Sequence, residues 1–101
     1  MSPISITAGV HLPQAGPAAS GDSITQVAQL AEELGFADVW VSDHLVIPSN
    51  AKYPPSAYIY EPLAVMAWVA AKTSRVRIGT TVLVLPMRNP IVVAKSLASI
   101  D

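Results

Sequence analysis

The chain has 101 residues, of which 51% are hydrophobic and 13% are charged, and its net charge is −1. This length supports one compact core, and the absence of acidic or basic blocks argues against a nucleic-acid or membrane partner. With no Cys and only two His, thiol catalysis and a metal site are not expected. No charged segment followed by a long apolar one opens the chain, which favours a cytoplasmic location.

A strand, a loop and a helix are predicted in the first third of the chain. Residues 4–10 favour a short strand, and residues 12–21 form a loop rich in Pro, Gly, Ala and Ser. We expect Asp22 or Ser23 to cap the helix, and Gly35 to end it in the left-handed conformation. The apolar side chains recur at the helical spacing and predict a buried face: Ile24, Val27, Ala28, Ala31 and Leu34. The polar side chains between them are expected to face water: Gln26, Gln29, Glu32 and Glu33.

The second predicted strand, residues 38–41, is an apolar run that ends abruptly in Ser42, Asp43 and His44. Ligands of parallel α/β folds bind at the carboxyl ends of the strands, so we expect chemistry at these three side chains. The imidazole of His44 can exchange a proton near neutral pH, but a histidine bonded to the loop backbone fits the residues equally well. Asp43 alone is typical of a turn or a helix cap.

A long loop separates this strand from the second helix. Residues 48–56 are too long and too rich in proline for a simple connector and predict a lid or a ligand-facing loop. Glu61 and Pro62 begin a helix whose segment from Leu63 to Ala71 is apolar almost all round. We expect that segment to be buried on two sides, the second side being a homo-oligomer interface.

The third strand is predicted over residues 75–86, and Asn89 and Pro90 begin a third helix that continues to Asp101. Three parallel strands leave two open sheet edges, which predicts that the chain is part of a larger fold. The alternative is a small open α/β sandwich that stands alone.

Four segments resemble the amino-terminal part of the luciferase-like monooxygenase superfamily, in consistent order along nearly the whole chain. They are residues 35–44 (GFADVWVSDH), 73–86 (TSRVRIGTTVLVLP), 88–90 (RNP) and 94–101 (AKSLASID). The Ser-Asp-His ending and the Leu-Pro-x-Arg-Asn-Pro run most resemble the branch that uses the deazaflavin coenzyme F-420.

The resemblance implies a fold and a cofactor. The expected fold is α/β: residues 1–101 would supply about three βα units of a TIM (β/α)8 barrel and end within the third helix. The cofactor would lie at the carboxyl-terminal face of the barrel. Later strands of the family hold much of the cofactor's phosphate-bearing tail, so we expect the chain alone to be inactive.

The resemblance also assigns site residues. His44 matches a position that faces the deazaflavin ring and is a candidate proton donor, and Asp43 matches one in contact with the ring region. A bulge formed by Gly79, Thr80, Thr81 and Val82 would support the ring, with a non-proline cis peptide between Thr81 and Val82. From the residues alone, Gly79 fits either a close approach or bulge, or a regular strand with a small residue under a helix.

Four other side chains are interpreted from their positions. Arg88 precedes the start of the third helix and is expected to be solvated, although it can reach an anionic group. His11 follows the first strand and could line the same face as His44. Trp40 and Trp68 are predicted to be core or interface residues rather than cofactor-stacking ones.

The implied reaction is hydride transfer between reduced coenzyme F-420 and a small organic substrate that the sequence does not identify. The first alternative is a monooxygenase of the same superfamily that uses flavin mononucleotide (FMN). A different class is a non-catalytic half-barrel or regulatory subunit that pairs through the segment from Leu63 to Ala71.

Overall fold

The structure is a computed structural model and describes residues 2–54, 56 and 58–101. Three strands alternate with three helices: β1 (Gly9–His11), α1 (Gly21–Glu33), β2 (Asp38–Val41), α2 (Pro62–Lys72), β3 (Arg77–Thr80) and α3 (Pro90–Ile100). The strands form one parallel sheet in the order β1, β2, β3. The α/β class and the parallel sheet are therefore confirmed, and the carboxyl ends of all three strands lie at one edge.

The central strand β2 has the predicted bounds because its sequence encodes both its start and its burial. Gly35 precedes it with a φ of 86°, a backbone conformation that L side chains rarely adopt. Val39 and Val41 point to one face and are fully buried. The core on that face comes from the two helices that flank the strand: Ile24, Ala28 and Ala31 of α1, and Val65, Met66 and Val69 of α2.

The first strand is shorter than predicted and covers Gly9–His11 alone. The prediction for residues 4–8 is wrong, and Ile4 and Ile6 are exposed. The cause is the partner strand, since β2 lies opposite residues 9–11 and the chain turns away before Asp38. Apart from one hydrogen bond from the Ala37 N–H to the Ala8 carbonyl, residues 4–8 have no ladder of hydrogen bonds to make them a strand.

The cap of α1 lies a little before the predicted one. Ser20, rather than Asp22 or Ser23, is the N-cap: its hydroxyl accepts a hydrogen bond from the Ser23 backbone N–H at 3.0 Å. The Ser23 hydroxyl in turn accepts from the Ser20 backbone N–H, which completes a capping box. Leu34 follows the end of the helix and is exposed, so its assignment to the apolar face is also wrong.

Glu32 of α1 does not simply face water, contrary to the sequence prediction. Its carboxylate accepts hydrogen bonds from the backbone N–H groups of Val76, Arg75 and Ser74, just before β3. These donors stabilise the charged form, those of Val76 and Arg75 most, and lower the pKa of Glu32 from 4.5 to about 2. One carboxylate thus fixes the entry of the chain into β3.

The third strand ends at Thr80, six residues before the predicted end. The ladder ends because β2 ends at Val41, which pairs with Thr80. The carbonyl oxygen of Val41 accepts a hydrogen bond from the Thr81 N–H at 2.8 Å. Beyond it the chain forms a single turn of 3₁₀ helix at Leu85–Met87. The β-branched pattern therefore continues past the point at which the sheet provides a partner.

The other two helices begin where the sequence predicts. Glu61 caps α2 through a hydrogen bond from the Ala64 N–H, and Asn89 caps α3 through one from the Ile91 N–H.

Across the described ranges, every helix is too short or too polar to cross a membrane. Of the predicted lid at residues 48–56, Pro55 lies outside the described residues.

Candidate functional site

The predicted site residues lie at the carboxyl edge of the sheet, directly after β2, beside an open cleft of about 570 Å³. Ser42 and His44 line this cleft, and Asp43 lies behind them with its side chain buried. The other lining residues come from the end of β1 and the loop after it, the loop before α2 and the residue that follows β3: His11, Leu12, Pro13, Gln14, Ala15, Tyr53, Pro54, Ile59 and Thr81.

His44 presents a partly exposed imidazole to the cleft. The edge of its ring meets the ring of Tyr53, with centroids 6.1 Å apart and planes inclined at 69°. This aromatic contact orients the imidazole and leaves its nitrogens free of any hydrogen bond to the residues that the structure describes. An imidazole in this state can give or take a proton at a bound molecule.

Asp43 is held by an arginine that sequence reasoning placed in solvent. Arg88 is only 10% exposed and donates two hydrogen bonds to Asp43, from Nη2 to Oδ1 at 2.9 Å and from Nε to Oδ2 at 3.1 Å. The Val84 N–H adds a third bond to Oδ2, at 2.9 Å. The prediction of a solvated Arg88 is wrong, because the loop after β3 folds back onto the end of β2.

This pairing fixes the charge of both groups. The Arg88 guanidinium holds the pKa of Asp43 below its ordinary value, and Asp43 raises the pKa of Arg88. Arg88 also lies 2.8 Å from Glu61 Oε1, an ionic contact rather than a hydrogen bond. One guanidinium therefore connects the end of β2, the loop after β3 and the cap of α2.

A buried glutamine holds the other side of the site, and sequence reasoning did not find it. Gln14 is 1% exposed. Its side-chain amide accepts a hydrogen bond from the Ser42 N–H and donates to the carbonyls of Ser42 and Tyr60, all at 2.6–2.7 Å. An amide in a loop rich in proline carries no signal of this role, which arises only when three loops meet.

The residues predicted at the end of β3 divide into two groups. The peptide bond between Thr81 and Val82 is cis, as the family resemblance implied. Thr81 lines the cleft, and Val82 is exposed. Thr80 ends the strand beside Val41 and does not line the cleft.

Gly79 lies away from the cleft, on the face of the sheet that carries Trp40. A Cβ added to Gly79 would lie 2.6 Å from the ring of Trp40, so only glycine leaves room for the indole. Gly79 pairs with Trp40 in the regular register of β2 and β3, as the regular-strand interpretation held, and the group that a Cβ would meet is the ring of Trp40. A cofactor contact for Gly79, Thr80, Thr81 or Val82 stays a prediction.

Comparison with known proteins identifies the family. The family model described as luciferase-like monooxygenase matches residues 2–101. Two similar curated proteins are the F420-dependent glucose-6-phosphate dehydrogenases of Kineococcus radiotolerans and Amycolatopsis mediterranei. Each is 42% identical, over 79 and 80 residues, and the matches cover 76% and 77% of this chain but 22% of each relative.

A solved structure with the same arrangement is the monooxygenase RslO1 from Streptomyces bottropensis. It superposes with a TM-score of 0.71 at 30% sequence identity, over 95% of this chain and 29% of that chain. The chain thus spans between a fifth and a third of the length of these proteins.

Proposed function

The chain belongs to the luciferase-like monooxygenase family, and on that premise we propose that it is the amino-terminal part of an oxidoreductase that uses coenzyme F-420. In this proposal the three βα units are the first of a (β/α)8 barrel. The reaction is hydride transfer between the deazaflavin and a small organic substrate. Its principal support is His44, which faces an open cleft while the two residues before it, Ser42 and Asp43, are fixed by buried side chains.

The cleft has the chemistry that a deazaflavin ring requires. Partly exposed apolar side chains such as Pro13 and Ile59 can contact a planar ring, and the hydroxyl of Thr81 can bond its polar edge. The residues that line the cleft include no Lys or Arg, and Arg88 is already engaged with Asp43 and Glu61. The cleft therefore suits the ring but offers no cation for a phosphate-bearing tail.

Within this proposal, Thr81 and Val82 lie beside the ring, and His44 faces the reacting end of the substrate. The deazaflavin, when bound, supplies a carbon that accepts or donates hydride, and the protein supplies orientation and a proton. His44 moves that proton, since its imidazole faces the cleft and can give or take a proton at a bound molecule. Asp43 does not, because Arg88 keeps it ionised.

Asp43 and Arg88 act by position. The backbone of Asp43 joins His44 directly, and its side chain is bonded to Arg88 and to the Val84 N–H in the loop that follows the cis peptide. Through these bonds Arg88 sets the distance between His44 and the Thr81–Val82 segment. A direct contact between Asp43 and the cofactor stays part of the proposal.

The proposal is tested by titrating F-420 and FMN separately into this chain and into a full-length relative that keeps the Ser-Asp-His sequence. We expect the relative to bind F-420 more tightly than FMN. We expect the chain alone to bind weakly and to show no turnover, for want of a cation for the tail. Glucose 6-phosphate is the first substrate to test, because two relatives are named for it.

The monooxygenase RslO1 favours one second candidate, an FMN-dependent monooxygenase. Tight binding of FMN and oxygen consumption with reduced FMN would support it against F-420. Binding of neither cofactor by the full-length relative would favour the non-catalytic subunit. A cytoplasmic location also stays a prediction.

A further inference from the structure

His11 and Ser42 were both predicted to lie at the site, but the proposed mechanism gives no step to the polar pair that they form. His11 ends β1 and Ser42 follows β2, and the parallel pairing of these strands brings the two side chains together. The distance from His11 Nε2 to Ser42 Oγ is 2.8 Å. Both residues line the cleft that His44 faces.

The bonds of His11 fix the direction of the hydrogen bond between the two residues. His11 Nδ1 lies 2.9 Å from the carbonyl oxygen of Leu12. A carbonyl oxygen only accepts, so Nδ1 carries the proton in the neutral imidazole and Nε2 is left as an acceptor. Ser42 Oγ–H therefore donates to Nε2, and the capacity that remains on Oγ is to accept.

The position of Ser42 does not depend on its own side chain. Gln14 holds both the N–H and the carbonyl of Ser42 through a buried amide. The Oγ atom is therefore presented to the cleft by a fixed backbone, with its proton already engaged. This arrangement is a preorganised acceptor that recognises a donor on a bound molecule.

We propose that Ser42, with its proton held by His11, is a specificity-determining acceptor for the hydroxyl group of an alcohol bound in this cleft. The acceptor site follows from the geometry of the described residues, and its link to hydride transfer rests on the proposed function. Alcohols, including sugars, carry the O–H donor that the site requires. Ethers of the same shape lack it.

The test measures binding rather than turnover. Dissociation constants of cyclohexanol and methoxycyclohexane for this chain are measured by saturation-transfer NMR; the first probe has a donor and the second has only an acceptor. We expect the wild type to prefer the alcohol by about 2- to 10-fold, the net value of one hydrogen bond.

Three variants separate this role from a structural one. Ser42→Ala should abolish the preference without moving the backbone, since Gln14 bonds main-chain atoms alone. His11→Phe frees the Ser42 hydroxyl to donate and should shift the preference toward the ether. His11→Gln, whose amide oxygen can replace Nε2 as an acceptor, should keep it.

The matched control is Ser99→Ala on α3, whose hydroxyl bonds its own helix and does not line the cleft. An equal affinity of the wild type for both probes would overturn the proposal, as would an unchanged preference in Ser42→Ala. Titration of F-420 into the full-length relative is read separately. A relative that fails to bind it, with the preference of the chain intact, would overturn the proposed function and still support the acceptor site.

Discussion

A carboxylate ties neighbouring segments together at each end of the sheet, but the two ends differ in their surroundings. At the amino end, Glu32 accepts backbone N–H groups that lead into β3. At the carboxyl end, Asp43 is buried and bound by Arg88. Both carboxyl groups have a lowered pKa, Glu32 mainly through backbone N–H groups and Asp43 mainly through a guanidinium.

The two carboxylates differ in what lies next to them. The residues bonded to Glu32 only start a strand. Those around Asp43 also define an open cleft, with His44 facing it on one side and Thr81 on the other. The carboxyl end therefore combines rigid support with a side chain that is free to react, which is the combination a binding or catalytic site needs.

The largest expected effect concerns His44 and is measured in a full-length relative that keeps the Ser-Asp-His sequence. His44→Ala should lower turnover by about 100- to 10,000-fold, the usual loss for a missing general acid, with a much smaller change in deazaflavin affinity. Single-turnover kinetics exclude a masking effect of product release. The Glu32→Gln variant is the control from the opposite end of the sheet and should keep the rate.

A second substitution decides between proton transfer and bracing at His44. Asn can bond a loop backbone but does not protonate near neutral pH. We expect His44→Asn to be nearly as slow as His44→Ala. A rate close to that of the wild type would refute the proton-donor role.

The next effect is on stability and contrasts the two arginines that pair with aspartates. Arg88→Ala leaves Asp43 charged and buried without its partner, which should lower the free energy of unfolding by about 3–5 kcal/mol. Arg77 pairs with Asp38 near the amino end but is 78% exposed, so Arg77→Ala should cost no more than about 1 kcal/mol.

Denaturant titration of both variants measures the difference between the arginine pairs. Arg88→Lys keeps the charge but cannot make both hydrogen bonds to Asp43, so we expect it to lower the free energy of unfolding by an intermediate amount. Equal losses for Arg88→Ala and Arg77→Ala would show that the buried pair has no special role.

A smaller effect is the acid sensitivity due to Glu32. Its pKa is lowered in the folded chain from 4.5 to about 2, so the carboxylate stabilises the fold above pH 4.5. That contribution is lost as the pH falls from about 4.5 to about 2. Glu32→Gln should therefore unfold at lower denaturant concentration than the wild type at neutral pH, and the difference should disappear toward pH 2.

The control for this pH dependence is Glu33→Gln, a neighbouring exposed carboxylate on the same helix. We expect it to lower the stability at neutral pH much less than Glu32→Gln does. A difference in the unfolding denaturant concentration between Glu32→Gln and the wild type that stays constant from pH 7 to pH 2 would contradict a stabilising role of the charged carboxylate.

The smallest effect concerns self-association through α2, which is still a proposal. Trp68 is 46% exposed on this helix, while Val65 and Val69 are buried against the core. If a second copy packs on the exposed face, Trp68→Ala should weaken association by about tenfold, as for a moderate interface residue. Sedimentation analysis measures this, with the exposed Ile91→Ala of α3 as the control; a monomeric wild type would refute the interface.

Sequence reasoning succeeded where the determining interactions are local. The bounds of β2 follow from an apolar run between a glycine turn and polar residues, and the starts of α2 and α3 follow from Glu61 and Asn89 as caps. It failed at the ends of β1 and β3, where the length of a strand depends on its partner. Residue type alone does not state how far a neighbour extends.

The sequence by itself determined the family, the parallel α/β order and the place of Ser42, Asp43 and His44 after the central strand, because these depend on short-range pattern and resemblance. Only the tertiary structure decided what surrounds them. The bonds from Arg88 to Asp43 and from Gln14 to Ser42 join residues 45 and 28 positions apart along the chain. Such contacts form when separate loops meet at one edge of a sheet, and no local pattern specifies which polar side chain is buried there.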